Sequence, residues 1–163
     1  MNIVATDITG SGFDSLAKLP SLTRIGMQGI KLKHGSLAKL KPIGDQLTGL
    51  NLSRTGMNNE DMAAIGDLHG LNNLDISNNN LLGDACSISF RSLTGLKVLD
   101  ISDTGITEKS LPDLCTLPKL NKLTVRGSRF WTSGKPEKQR GNMKIRDTFI
   151  DGKVPLEMFS PLH

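Results

Sequence analysis

An eleven-residue pattern of apolar and polar residues recurs along the chain and constrains its fold more than any other feature. Apolar residues occupy its first, fourth, sixth and eleventh positions, and a Thr, Asn or Ser occupies its ninth. The uneven steps of three, two and five residues fit neither a helix nor a strand of constant period. The pattern therefore predicts a short strand followed by a bend. Its four clear copies are LTGLNLSRTGM (47–57), LNNLDISNNNL (71–81), LKVLDISDTGI (96–106) and LNKLTVRGSRF (120–130).

The copies recur at a nearly constant period, which indicates a repeat protein. The second apolar position steps along the chain by 22, 25, 24, 25, 24 and 20 residues. Weaker copies at the two ends extend the series. The positions concerned are Ile3, Ile25, Leu50, Leu74, Leu99, Leu123 and Met143.

This pattern and period resemble those of the leucine-rich repeat family. The resemblance implies an α/β fold: one leucine-rich repeat domain over residues 1–163, with about six to seven repeats in a curved right-handed solenoid. A parallel sheet would line the concave face, and short helices or turns would cover the convex face. The predicted strands lie near residues 3–5, 25–27, 50–52, 74–76, 99–101, 123–125 and 143–145. Residues 132–142 predict a basic protruding loop, and residues 143–163 predict a closing C-terminal segment.

The polar residue that follows each strand predicts how the chain turns. An Asn or Thr side chain there can satisfy backbone groups that the turn leaves unpaired. The next apolar residue is then expected to enter the core. The polar series is Thr55, Asn79, Thr104, Ser128 and Thr148, and the apolar series is Met57, Leu81, Ile106 and Phe130.

The chain lacks apolar runs long enough to span a bilayer, and its first residues do not resemble a secretory signal. We therefore expect no membrane span, and we favour the cytoplasm, or the host cytoplasm for a bacterial effector. Because Ile3 begins a repeat strand almost at once, three possibilities stay open for this end. They are a missing N-terminal segment, an edge-to-edge homodimer and a natural end blunted by a weak repeat.

Residues able to carry chemistry do not form a recognisable constellation. The two cysteines, Cys86 and Cys115, lack metal-ligand spacing and are expected to be free, with a single disulfide as the alternative. His34, His69 and His163 have no paired ligand at a suitable spacing. We therefore expect no cofactor, no metal and no enzymatic activity.

The concave sheet face is the candidate partner site. Strand residues that alternate with the core pair, and those just after it, are expected to point outward. Acidic residues fall in the middle of this face and basic residues towards its C-terminal end, although such a mosaic is also common on a merely solvated face. The candidate partner-binding residues are Asn51, Ser53, Arg54, Asp75, Ser77, Asn78, Asp100, Ser102, Asp103, Lys122, Thr124, Arg126 and Trp131.

The favoured function is a non-enzymatic module that binds a protein or peptide partner. One alternative is the recognition part of a larger signalling or bacterial effector protein. Another is a binder of nucleic acid or an anionic surface, because residues 119–163 hold ten Lys and Arg against four Asp and Glu. Nucleic acid is disfavoured because this cluster lacks interleaved aromatic residues for stacking. The cluster comprises Lys119, Lys122, Arg126, Arg129, Lys135, Lys138, Arg140, Lys144 and Arg146.

Overall fold

The computed structural model describes residues 12–16 and 18–127 of the 163-residue chain. Five short strands form one parallel sheet in the order β1-β2-β3-β4-β5. The predicted strands at 3–5 and 143–145, the basic loop and the closing segment lie outside the described residues. The strands are β1 (Arg24–Gly26), β2 (Gly49–Asn51), β3 (Asn73–Asp75), β4 (Val98–Asp100) and β5 (Lys122–Thr124).

The register of the sheet confirms the predicted solenoid. The second apolar residue of each repeat pairs with its equivalent on the next strand, so one apolar ladder crosses the whole sheet. Its five members are at most 3% exposed, because each repeat covers the apolar stripe of its neighbour. They are Ile25, Leu50, Leu74, Leu99 and Leu123.

Each strand begins and ends one residue earlier than predicted. The residue before the apolar ladder joins the pairing, as with Asn73 and Val98. The second core residue leaves the strand but keeps one ladder bond, since the Leu52 amide still donates to the Asp75 carbonyl at 2.7 Å. The chain therefore starts to bend at this residue rather than after it.

Short helical segments return the chain along the convex side. The return segment after β2 is the helix α2 (Asn59–Gly66), with Asn58 and Asp61 forming a reciprocal cap. The segments Ser36–Ile43 and Asp84–Ser92 are 3-10 helices. The other helical elements are α1 (Phe13–Leu16), a 3-10 turn (Glu108–Ser110) and α3 (Leu111–Leu114). None of the helices in the described ranges has the length and apolar content needed to cross a membrane.

The predicted core position of Leu81 is wrong. Leu81 is 59% exposed, and the next residue, Leu82, is fully buried in its place. The amide of Leu82 donates to the carbonyl of Asn79 at 3.1 Å, which closes a turn one residue longer than in the neighbouring repeats. The side chain that enters the core is therefore shifted by one position, whereas Met57 and Ile106 are buried as predicted.

Asn79 confirms the predicted role of the polar turn residue. It is 1% exposed, and its Oδ1 accepts from the amides of Thr55, Gly56 and Met57 at 2.9–3.2 Å. Its Nδ2 lies 2.9 Å from the carbonyl oxygens of both Leu52 and Ile76. A single side chain thus satisfies the turns of two repeats.

Replacing Asn79 with Ala should lower the free energy of unfolding by about 3–5 kcal/mol, because several buried backbone groups lose their partners. Replacing the exposed neighbour Asn80 with Ala should change it by less than about 0.5 kcal/mol. Urea denaturation followed by circular dichroism measures both. Equal effects of the two substitutions would contradict the bridging role.

A buried carboxylate joins two repeats on the convex side. Asp61 accepts from the amides of Gly35 at 3.0 Å and Asn58 at 3.1 Å, and it lies 2.7 Å from Nδ1 of His34. Burial works to raise the pKa of Asp61, but the hydrogen bonds from Gly35, His34 and Asn58 outweigh it. The pKa of Asp61 is therefore lowered.

Two further carboxylates act in the same way. Burial works to raise the pKa of Asp84, but hydrogen bonds from the Ser110 hydroxyl at 2.6 Å and the Thr107 amide at 2.7 Å outweigh it, so the pKa is lowered. Asp113 accepts from the Ser87 hydroxyl and from Arg91, which lower its pKa as well. All three carboxylates accept these hydrogen bonds more strongly when they are ionised.

Acid should therefore destabilise the solenoid. A carboxyl whose pKa is lowered on folding stabilises the protein above its unfolded value near 4, and this contribution is lost as the pH falls through the folded value. Urea denaturation between pH 7 and pH 3 should show unfolding free energy falling below about pH 5. Asp84→Asn should flatten that fall, while the exposed control Thr94→Ala should keep it. An Asp84→Asn profile parallel to the parent profile would refute the assignment.

Candidate interface on the concave sheet face

The outward face of the sheet forms an open groove of about 350 Å³ that crosses all five strands. Two rows of side chains line it, one on each side of the apolar ladder. The first row is Arg24, Gly49, Asn73, Val98 and Lys122, and the second is Gly26, Asn51, Asp75, Asp100 and Thr124. Five of the predicted partner residues therefore line the groove.

Charge is distributed unevenly along the groove. Asp75 and Asp100 lie in register on adjacent strands at its centre. Arg24 and Lys122 lie on the first and last described strands. Because neighbouring strands are about 4.8 Å apart, the groove spans roughly 19 Å from β1 to β5. The predicted acidic centre is thus flanked by a cation at each end.

The side chains of the second row line the groove and also hydrogen-bond to the backbone that follows each strand. The Oδ1 atoms of Asn51, Asp75 and Asp100 each accept from the amide of the residue two positions later, at 2.9–3.0 Å. These side-chain turns fix how the strand ends bend. The carboxylates are consequently held in fixed positions at the groove.

A glycine makes room for the cation at the β1 end. A Cβ atom on Gly49 would lie 3.1 Å from Cγ and 3.4 Å from Cδ of Arg24, so the arginine stem lies across the glycine. Glycine weakens a strand and is typical of places where another group approaches closely. The sequence pattern alone did not identify Arg24 and Gly49 as a pair.

The predicted outward orientation of three serines is wrong. Ser53, Ser77 and Ser102 are only 4%, 7% and 7% exposed. The Ser77 hydroxyl donates to Asp75 at 2.7 Å, and the Ser102 hydroxyl accepts from the Arg126 amide at 3.1 Å. These small side chains are buried in the bend that follows each strand.

The next position forms an exposed rim beside the groove. Arg54, Asn78 and Asp103 are exposed and have positive φ angles of 58°, 57° and 53°. Gly29 and Gly127 occupy the same position in the flanking repeats, also with positive φ. Glycine at aligned positions was the sequence signal for this left-handed turn.

The structure describes three of the four remaining predicted contact residues. Lys122 and Thr124 are half-buried in the groove, and Arg126 is exposed beyond its end. Trp131 lies outside the described residues. The assignment of the whole set to partner binding stays a prediction.

The polar and sulfur-containing side chains of the convex side do not form a metal site within the described ranges. No group of His, Cys, Asp and Glu among these residues could hold a metal ion. The Ser36 hydroxyl, two residues from His34, has no hydrogen-bond partner. Cys86 and Cys115 are both free, and burial raises the pKa of the Cys86 thiol to about 12.

Comparison with known proteins agrees with this geometry. Residues 69–130 match the model of the leucine rich repeat family. No curated protein sequence matches the chain. The crystal structure of an internalin (inlF) from Listeria monocytogenes is similar over 82% of this chain, with 16% identity and a TM-score of 0.60. An internalin C2 (inlC2) from the same organism aligns over 82% of this chain and 71% of its own length, with 14% identity and a TM-score of 0.45.

The first of these similarities concerns the fold and not the whole protein. The aligned part spans only 35% of the inlF internalin chain. The matched residues 69–130 contain the strands β3, β4 and β5. The family match over residues 69–130, the in-register parallel sheet and the shared fold show that the described residues form a leucine-rich repeat solenoid.

Proposed function

We propose that the chain is a protein-interaction module that binds a protein or peptide partner against its concave sheet face. Leucine-rich repeat solenoids are in general protein-binding scaffolds, since their stacked repeats create an extended surface. The open groove of about 350 Å³, lined from five consecutive strands, is the observation that carries the proposal. The same face would serve an independent module or the recognition part of a larger signalling or effector protein.

Rigid support of the groove favours recognition. The core beneath it is fully buried, and the Asp75 and Asp100 side chains are fixed by bonds to the following amides. Side chains already held in place lose little conformational freedom when a partner binds. We assign direct contact to Asn51, Asp75, Asp100, Lys122 and Thr124, and outer contact to Arg54, Asn78, Asp103 and Arg126.

The three serines support the site rather than contact the partner. Ser53, Ser77 and Ser102 are buried in the bend between groove and rim. Their amides donate to the groove-lining row, so they fix the angle at which that row meets a partner.

The convex polar groups support structure rather than catalysis. Both carboxylate oxygens of Asp61 are used, one by the Gly35 amide and the other by His34 and the Asn58 amide. The His34–Asp61 pair thus holds two repeats together. A binding module is the function we infer for the chain as a whole.

Blocking the groove should abolish capture of a partner. Asn73 lies on the middle strand in the first row, and Asn73→Trp would fill the groove whatever the charge of the partner. We expect proteins captured from an extract of the source cells to be lost, and the affinity of a purified captured partner to fall at least tenfold. Isothermal titration calorimetry measures that affinity.

The matched control places the same indole outside the groove. Thr94 is exposed in the turn before β4, so Thr94→Trp should leave capture unchanged. Thermal unfolding checks that both variants fold. Undiminished binding of the purified partner to a folded Asn73→Trp variant would mean that the partner contacts another face.

A further inference from the structure

We propose that Lys31, Lys33 and Arg54, which we call the basic edge, dock an acidic segment of the protein partner. The two lysines follow the bend after β1, and Arg54 belongs to the rim beside the groove. This inference rests on the proposed function, because it names the chemistry of a partner segment that leaves the groove across that rim.

Positive charge is concentrated in the first described repeat. Residues 22–46 hold five Lys and Arg against one Asp. The three repeats that follow, residues 47–119, hold five Lys and Arg against nine Asp and Glu. The two parts of the solenoid therefore differ in the sign of their charge, and an acidic partner is attracted towards the first.

Some of the lysines in this repeat have a role within the fold. Nζ of Lys39 lies 2.6 Å from the carboxylate of Asp14, and Nζ of Lys41 lies 3.2 Å from that of Asp67. Both ion pairs join the return segment of the repeat to a neighbouring repeat. The charge of these two lysines is consequently accounted for by contacts within the chain.

The basic edge has no such account. In the described part of the chain, the side chains of Lys31, Lys33 and Arg54 are exposed and form no ion pair and no hydrogen bond. The nearby carboxylate of Asp61 is buried and is bonded to His34 and to two backbone amides. Three cations are therefore available to a ligand.

The backbone presents the two lysines on one side. Ile30 and Leu32 are buried, whereas Lys31 and Lys33 are exposed. This alternation is typical of an extended chain, in which every second side chain points the same way. Since an extended chain rises about 3.3 Å per residue, the two lysines start roughly 7 Å apart.

Backbone hydrogen bonds bring the rim arginine to the same place. The amide of Gly29 donates to the carbonyl of Ser53 at 2.9 Å, and the amide of Leu32 donates to the carbonyl of Thr55 at 3.2 Å. Arg54 lies between the two acceptor residues in the sequence. The segment that carries the lysines therefore runs beside Arg54, and the basic edge is continuous with the rim of the groove.

An extended acidic segment fits this arrangement. Its alternate side chains also repeat at roughly 7 Å, so carboxylates two residues apart can face the two lysines. Exposed ion pairs are individually weak, and a segment with several carboxylates is needed to bind. A basic segment would be repelled, which makes the edge selective for the sign of the partner's charge.

The surroundings of the edge favour a protein segment over nucleic acid or a membrane. The exposed residues between positions 28 and 33 are Gln28, Gly29, Lys31 and Lys33, so this stretch offers no aromatic ring on which a base could stack. The apolar residues that alternate with the lysines are buried and cannot insert into a lipid surface.

A labelled peptide with three glutamates at alternate positions tests the edge by fluorescence polarisation with the intact chain. At low ionic strength, Lys31→Gln/Lys33→Gln should weaken its binding roughly fivefold or more. High salt should remove the difference, because the contacts are exposed. The same peptide with glutamine in place of glutamate should not bind; equal binding of the two peptides would overturn the inference.

The matched control removes the same charge elsewhere. Lys97 and Lys119 are exposed lysines that precede β4 and β5, and Lys97→Gln/Lys119→Gln should leave binding of the acidic peptide nearly unchanged. Thermal unfolding checks that both double variants fold. Equal weakening in the two double variants would show a response to net charge alone and would overturn the docking site.

Other anionic ligands are tested in parallel. A single-stranded oligonucleotide and vesicles with anionic lipid should each bind the parent more weakly than the acidic peptide does. If either binds more tightly, and loses that binding in Lys31→Gln/Lys33→Gln, the assignment of the edge to a protein segment is wrong.

A purified protein partner separates this inference from the proposed function. We expect its affinity to fall both in Asn73→Trp and in Lys31→Gln/Lys33→Gln. A loss in Asn73→Trp alone would overturn the inference and leave the proposed function standing. A loss in the lysine variant alone would support the basic edge but overturn the groove as the contact face, and no loss in either would overturn both.

Discussion

The parallel register of the apolar ladder is the constraint on which the rest of the structure depends. Leu50, Leu74 and Leu99 are each paired with the equivalent residue of the next strand and are nearly inaccessible to solvent. No single repeat can cover its own apolar stripe, so stability comes from nearest-neighbour stacking. Because side chains alternate along a strand, this register also decides which residues face the groove. A slip of one residue would bury Asp75 and Asp100 and expose the leucines, so the core that stabilises the fold also fixes the charges of the proposed site.

The bends that follow the strands transmit this order to the surface. Asn79 satisfies amides and carbonyls of two successive repeats, and Asn51, Asp75 and Asp100 close the side-chain turns at the strand ends. Carboxylates on the convex side bridge the return segments in the same way. Polar residues in this solenoid therefore hold repeats together wherever the backbone leaves the sheet.

The sequence was sufficient for the features that recur in every repeat. The spacing of Leu50, Leu74, Leu99 and Leu123 predicted the strands and their order, because burial acts on each copy in the same way. It failed where single repeats depart from the average. Leu82 replaces Leu81 in the core because one turn is a residue longer, and no average pattern contains that residue.

The sequence predicted which rows of residues line the outward face of the sheet, but not which individual side chains are exposed there. Alternation along the strands placed Asn51, Asp75, Asp100, Lys122 and Thr124 on the outward face, but it wrongly placed three serines there as well. They are buried in the bend that follows each strand, which alternation does not describe. The packing of Arg24 over Gly49 likewise joins residues 25 positions apart, and only the register reveals it.

The core and the groove of this solenoid place different demands on the side chains. Asn51 shows that the turn at the strand end tolerates an uncharged side chain, while Asp75 and Asp100 make the same turn with a charge. Replacing Asn with Asp at such a position changes the charge of the groove without removing a hydrogen bond that the fold needs. The surface of the groove can therefore vary at small cost to the apolar ladder beneath it.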